Sequence, residues 1–236
     1  MSAKQSPSRS SRSGGSRPRG TPSRVVVIGL GRFGGSLAME LVERGTEVLA
    51  LDSREHLVQQ FADSVTHAAV ADTTDPEVLH QLDVPDFDRA VVAIGDELEA
   101  SILTTSLLSE LGISHIWAKA VSRQHGRILE RVGATRVVLP EHDMGERVAH
   151  LVTGRMLDYI QFEDDYALVK TRAPTTAVDH PLSETRVRSK YGVTVVGIKR
   201  PGEGFTYATQ DTVLRRGDIV IAAGRAHDVE RFADVT

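Results

Sequence analysis

The chain has 236 residues, 40% of them hydrophobic and 25% charged, enough apolar material for one large domain or two smaller ones with a sizeable core. It contains no cysteine, which excludes disulfides, thiolate zinc sites, iron–sulfur clusters and a cysteine nucleophile together. The formal charge of −4 is uneven: residues 1–24 carry six of the 28 Lys and Arg and no acid, leaving 22 basic against 32 acidic side chains in the rest, and so acidic a body argues against general nucleic-acid binding by the fold.

Residues 1–23 are mostly Ser, Arg, Gly and Pro, too polar to offset the entropy of ordering, and are expected to form a disordered basic tail. Its cations would suit anionic lipid or nucleic acid, against the simpler expectation of a solvated tail. No apolar run approaches the roughly 20 residues of a membrane helix. No signal-peptide stretch follows the basic start, so a soluble cytoplasmic protein is expected.

From Arg24 the pattern changes. The β-branched run RVVVIG at 24–29 predicts a buried parallel strand. A helix is predicted over 33–44, where Phe33, Leu37 and Leu41 share a face and Gly45 marks the stop. Strands follow at 47–51, 66–70, 88–94, 115–119 and 135–139, with helices at 55–62, 76–82, 97–111 and 125–132 between them. Six strands alternating with helices predict an α/β fold, a Rossmann-like parallel six-stranded sheet covered on both faces. A further helix is predicted over 141–157, through Met144, Val148, Leu151, Val152 and Met156. Short strands at 158–171, 194–199, 205–208 and 218–222 and a helix at 226–232 then predict a small α+β domain. The expected organisation is a tail at 1–23, a nucleotide-binding domain at 24–140, a linking helix at 141–157 and an α+β domain at 158–236.

Gly29-Leu30-Gly31-Arg32-Phe33-Gly34 matches GxGxxG, after a predicted strand and at the opening of a helix, the context that makes the pattern specific. Gly29 allows the turn, Gly31 lets a phosphate approach the backbone, and Gly34 lets helix and strand pack closely. The helix N-terminus then directs N–H groups at an anion. Arg32 stands where a cation opposes the helix dipole, which points to a compensating anion such as phosphate. Asp52, 18 residues after Gly34 at the end of the second strand, can accept from ribose hydroxyls and would repel a 2′-phosphate; it can also cap the next helix. Asp72 and Thr73, Gly95 and Asp96, and Lys119 follow the third, fourth and fifth strands, at the carboxyl ends where such sheets bind ligands, although turn chemistry also explains the first four.

The nine histidines show no metal-ligand spacing, and neither His180 nor His227 has a recognisable proton-transfer partner. No nucleophile signature is visible, so no catalytic residue is expected. A helix-turn-helix with a basic recognition face is also not visible.

The runs VVVIGLGRFGGSLAMELVERGTEVLALD, VADTTDPEVL, AIGDELEAS, IWAKA, RVGATRVVLPEHDMGERVA and RVRSKYGVTVVGIK together resemble the RCK (regulator of conductance of potassium) family, in its KtrA-like and more loosely TrkA-like branches, over about 24–236. GLGRFGGS and LPEHDMG are the specific segments. The resemblance implies a cytosolic gating subunit of a bacterial potassium uptake system, with ATP, ADP or NAD(H) in the Rossmann cleft. It implies dimers assembled into an octameric ring beneath a KtrB- or TrkH-like membrane translocator, with the ring's shape controlling potassium flow. It also implies cyclic di-AMP binding in the C-terminal lobe. Gly29, Gly31 and Gly34 would cradle the phosphates, with Arg32 meeting the terminal phosphate and Phe33 among the nucleotide-binding residues. Asp52 and Ser53 would hold the ribose, Ala71, Asp72 and Thr73 would border the adenine, and Gly95 and Lys119 would lie near the nucleotide. Glu141 would be a ligand for a divalent cation or Na+ near the ATP phosphate, and Arg188 would contact cyclic di-AMP. Ala71 stands where many relatives have glycine. The alternative function is an NAD(H)-dependent oxidoreductase or NAD(H) redox sensor.

Overall fold

The computed structural model describes residues 23–152, 154–162 and 165–235. The expected tail at 1–23 lies, apart from Ser23, outside the described residues. Two compact units are present, one ending at Leu139 and the other beginning at Pro140.

The first unit runs β1 (Arg24–Ile28), α1 (Arg32–Glu43), β2 (Glu47–Asp52), α2 (Glu55–Phe61), β3 (His67–Val70), α3 (Pro76–Gln81), β4 (Arg89–Val92), α4 (Leu98–Glu110), β5 (His115–Lys119), α5 (Arg123–Arg131) and β6 (Arg136–Val138). The strands form one sheet in the order β3-β2-β1-β4-β5-β6, every pair parallel. The chain steps outward from β1 to β3, then returns to start the other half beside β1, which makes the β1/β4 boundary the topological switch point.

β1 shows why its sequence is continuously apolar. Alternate side chains serve opposite faces: Val26 and Ile28 enter one hydrophobic cluster, with Leu51, Leu79, Val92 and Leu129. Val25 and Val27 enter another, with Leu30, Val48 and Val58. A strand covered by helices on both faces has no polar side to present. Local signals fix the helix ends. Pro76 opens α3 behind Asp75, whose side chain accepts the Glu77 amide at 2.8 Å. Ser122 accepts the His125 amide at 3.1 Å at the start of α5. Gly45, at φ +79°, ends α1 in the left-handed region and returns its amide to the Val42 carbonyl at 2.8 Å.

The second unit runs α6 (Pro140–Val152), β7 (Asp158–Gln161), β8 (Tyr166–Arg172), α7 (Leu182–Thr185), α8 (Val187–Tyr191), β9 (Thr194–Lys199), β10 (Phe205–Tyr207), β11 (Ile219–Arg225) and α9 (Ala226–Ala233). Its sheet, in the order β10-β9-β11-β8-β7, is antiparallel throughout. β8 alternates strictly, with Ala167, Val169 and Thr171 inward, as a strand with one buried face must. α9 lays the fully buried Val229 and Phe232 on this sheet, with Phe232 meeting Tyr191 edge to face at 5.7 Å.

Two expectations are corrected here and two elements are added. The helix predicted over 141–157 stops at Val152. Gly154 turns at φ +74°, the Leu157 amide bonds the Lys170 carbonyl at 2.7 Å, and Met156 belongs to the second unit's core. Met156 repeats the helical spacing by coincidence, because its apolar side chain answers a different partner. The strand predicted over 158–171 is two strands paired as Asp158↔Lys170 through Gln161↔Ala167. α7 and α8 were not expected, because helices of four and five residues carry too little periodicity to be read.

Candidate functional site

The glycine loop lies between β1 and α1, at the switch point. The Gly29 amide bonds the Leu51 carbonyl at 2.7 Å, the Ala93 amide bonds the Ile28 carbonyl at 2.7 Å, and Gly29 adopts φ +94°. The three glycines do different work. A Cβ at Gly34 would stand 1.8 Å from the Gly29 carbonyl oxygen, so that glycine permits the helix to touch the strand. A Cβ at Gly31 would meet nothing within 4 Å, and its φ of −64° is open to any residue. Folding therefore makes no demand for glycine at 31, and the open space beside it fits the close approach of a ligand to the backbone. Gly35, which the motif does not include, seats the Phe61 ring of α2; a Cβ there would come within 2.3 Å of it.

Gly31 also caps α1 without a side-chain hydrogen bond, and the first turn holds no acid. The first-turn N–H groups lack the usual capping oxygen, and the dipole favours an anion there. Arg32 is exposed at this end and, among the described residues, pairs with no carboxylate. Phe33 is half-buried beside it.

Asp52 is placed differently from a bare ribose acceptor. The residue is 4% exposed, and its carboxylate ties the loop to β2 by accepting the Leu30 amide at 2.7 Å. It also accepts the Arg54 amide at 2.9 Å and the Arg54 Nε at 3.0 Å. Burial alone pushes this carboxyl's pKa up, but the Arg54 side-chain hydrogen bond, the two amides and the Arg54 charge together hold it below its ordinary value. Arg54 was missed in the sequence. Its signal was present as a cation two residues after the strand-ending acid, in Asp52-Ser53-Arg54. Ser53 is exposed between them.

The loop after β3 is divided. Asp72 is exposed, and its Oδ1 accepts both the amide and the hydroxyl of Thr74, at 3.0 and 2.6 Å; the hydroxyl bond leads in lowering its pKa. Ala71 is buried, with its amide on the Asp52 carbonyl at 3.1 Å. Thr73 is 6% exposed and shares a 2.9 Å hydroxyl contact with Thr104 of α4, so it turns inward and ties this loop to that helix. Gly95 after β4 and Lys119 at the end of β5 meet: a Cβ at Gly95 would lie 3.2 Å from the Lys119 Nζ. Asp96 is exposed, 4.0 Å from the Arg54 Nη1. The structure thus brings Gly29, Gly31, Arg32, Asp52, Gly95 and Lys119 to the carboxyl edge of one sheet.

In the second unit, Glu141 is exposed in the first turn of α6. Among the described residues, no group of three or more His, Asp and Glu is arranged to hold a metal ion. Arg188, on α8, lines a cavity of about 730 Å³ with Arg186, Leu182, Val195 and Thr209 among its walls. The Arg188 Nε donates to the Thr194 hydroxyl at 3.2 Å, and Arg186 holds the α7–α8 joint at φ +51°. Among the described residues neither arginine is paired with a carboxylate. Arg186 is the residue missed here, since nothing in the sequence marks a left-handed arginine beside Val187-Arg188.

Residues 25–140 match the TrkA-N domain model and residues 167–236 the TrkA-C domain model. The chain belongs to the RCK family. This RCK chain is 41% identical over 208 residues to the Ktr system potassium uptake protein C of Bacillus subtilis (strain 168), across 88% of this chain and 94% of that protein. It is 36% identical over 200 residues to the Ktr system potassium uptake protein A of Vibrio alginolyticus, across 84% and 91% of the two. The crystal structure of the GsuK RCK domain superposes with a TM-score of 0.62 at 18% identity, covering 93% of this chain and 48% of that one, which speaks for the fold. Among the described residues no helix is long and apolar enough to cross a membrane.

Proposed function

We propose that this RCK chain is a cytoplasmic, nucleotide-responsive regulatory subunit of a potassium uptake system and does no chemistry of its own. The observation that carries the proposal is the open approach at Gly31 beside an uncapped helix N-terminus, in a chain related to Ktr potassium uptake proteins across both units. The first unit takes ATP or ADP, with NAD(H) the competing adenosine ligand. Gly29, Gly31 and Gly34 form the phosphate cradle, and Arg32 meets the terminal phosphate. Glu141 is proposed as one ligand of a divalent cation or Na+. A carboxylate oxygen is a ligand that such hard cations accept.

A ligand shifts an equilibrium only by its differential affinity for two states. If Arg32 meets the γ-phosphate in only one arrangement of the assembled subunits, ATP favours that arrangement and ADP does not. Self-association suits α6, where Met144, Val148 and Val152, at i, i+4 and i+8, are all exposed. A dimer, an octameric ring and a KtrB- or TrkH-like membrane partner are part of the proposal, supported by the family resemblance. The cavity at Arg186 and Arg188 is proposed for cyclic di-AMP, whose two phosphates suit two guanidinium groups.

The test is titration of the purified chain with ATP, ADP, NADH and cyclic di-AMP, paired with potassium uptake by cells expressing it with a translocator. Nucleotide binding with uptake that depends on the chain supports the proposal. Turnover of NADH with a small substrate, or uptake indifferent to the chain, defeats it.

A further inference from the structure

The corner at the end of β2 is chemically unlike a bare acidic ribose site. The Asp52 carboxylate has about four acceptor positions. Four donors reach it. Oδ2 takes the Leu30 amide at 2.7 Å and the Arg54 Nη2 at 3.2 Å, and Oδ1 takes the Arg54 amide at 2.9 Å and the Arg54 Nε at 3.0 Å. A ribose diol can bond this carboxylate only by displacing one of them, and the Arg54 side chain is the one free to leave.

The two side chains differ in access. That of Asp52 is 3% exposed and that of Arg54 is 48% exposed. Of the five guanidinium N–H donors, two are used on Asp52, which leaves three. Nη1 reaches toward Asp96, 4.0 Å away, whose side chain is 94% exposed and able to swing aside. The solvent-facing group at this corner is therefore a cation with unused donors. An acid here repels a ribose 2′-phosphate, whereas an arginine here receives one, through charge-assisted and often bidentate bonds.

We propose that Arg54 is the specificity-determining residue of the ribose subsite, covering Asp52 and admitting an adenosine nucleotide that carries a 2′-phosphate. The inference rests on the nucleotide reading of the first unit and reverses the preference that Asp52 alone would set. Ligands with a free diol bind with Arg54 displaced, and 2′-phosphorylated ligands bind with it in place.

The experiment is titration of the full chain, wild type and Arg54→Ala, with two matched pairs: NADH against NADPH, and ADP against its 2′-phosphorylated form. In the wild type the 2′-phosphorylated member of a pair binds at least as tightly as its partner. Arg54→Ala shifts the affinity ratio of the pair at least tenfold toward the free diol, and Arg54→Lys, which keeps the charge, shifts it less. A ratio that moves less than threefold in Arg54→Ala overturns the inference while leaving the nucleotide reading intact, provided ADP or NADH still binds. A wild type that binds none of the four ligands overturns both. Thermal unfolding of each variant confirms that the fold is retained, as expected for a half-exposed side chain that leaves both amide bonds to Asp52 in place.

Discussion

In the first unit the candidate anion site is made of backbone and open space, whereas in the second it is made of arginine side chains around a cavity. The glycine loop presents N–H groups at a helix start and keeps Gly31 clear, so its chemistry belongs to the turn between β1 and α1. The cavity depends on Arg186 and Arg188, set by two short helices against β9. A side-chain site can be deleted and leave the fold standing, whereas a backbone site can only be obstructed, and only at a glycine that packing does not need. That contrast yields measurable differences.

The largest effect is expected at Gly34. An alanine Cβ would fall 1.8 Å from the Gly29 carbonyl oxygen, backbone against backbone, so α1 must move off β1. Gly34→Ala should destabilise the first unit by about 3 kcal/mol or more, at the upper end of overpacking effects. Hydrogen exchange should show the loss in β1 and α1, with β8 and β11 unchanged.

Next in size is the double replacement Arg186→Ala with Arg188→Ala. Deleting two charge-assisted donors should weaken cyclic di-AMP binding by about thirtyfold or more. ADP affinity and the unfolding temperature should barely change. Equal losses for both ligands would mean that the two sites are not chemically separate.

Gly31→Ala probes the same loop as Gly34 with the opposite expectation. Nothing lies within 4 Å of the new Cβ and φ is ordinary, so stability should stay within about 0.5 kcal/mol of the wild type. A methyl in the approach path should still weaken ADP binding about tenfold, one misplaced phosphate contact being worth about 1.4 kcal/mol. Full-strength binding by Gly31→Ala would break the view of this turn as a phosphate site.

The smallest effect concerns His125 on α5. Burial lowers its pKa below the ordinary 6.5, and its Nε2 has no hydrogen-bond partner among the described residues. As pH falls through 6.5 the unfolded chain takes up the proton first, so stability is full above that pH and declines until the lowered pKa is passed. Unfolding temperature measured from pH 8 to pH 5 should fall on the acid side, and His125→Gln should flatten that fall.

The two units also differ in how much of them could be read before folding. Parallel strands buried on both faces carry unbroken runs such as RVVVI, and GxGxxG marks the turn between a strand and a helix, so the sheet and the glycine loop were legible. The corner at the end of β2 was half legible: Asp52 stood out, but not that Arg54 covers it, because hydrogen bonds between near neighbours leave no periodic trace. Thr73 was expected near a ligand, and the fold adds a contact to Thr104 that the sequence did not show, since a hydroxyl's partner is chosen by the fold. In the second unit, single-faced antiparallel strands and helices of four or five residues give weak patterns, so the cavity walls went unseen apart from Arg188.

The sequence by itself determined the order of strands and helices, the place of the glycine loop and the family, because periodicity and glycine spacing are local properties of the chain. Only the tertiary structure decided which glycine is structural and which is open, which cation covers Asp52, and which arginines share a cavity. Those depend on distances between residues that the chain brings together only when it folds.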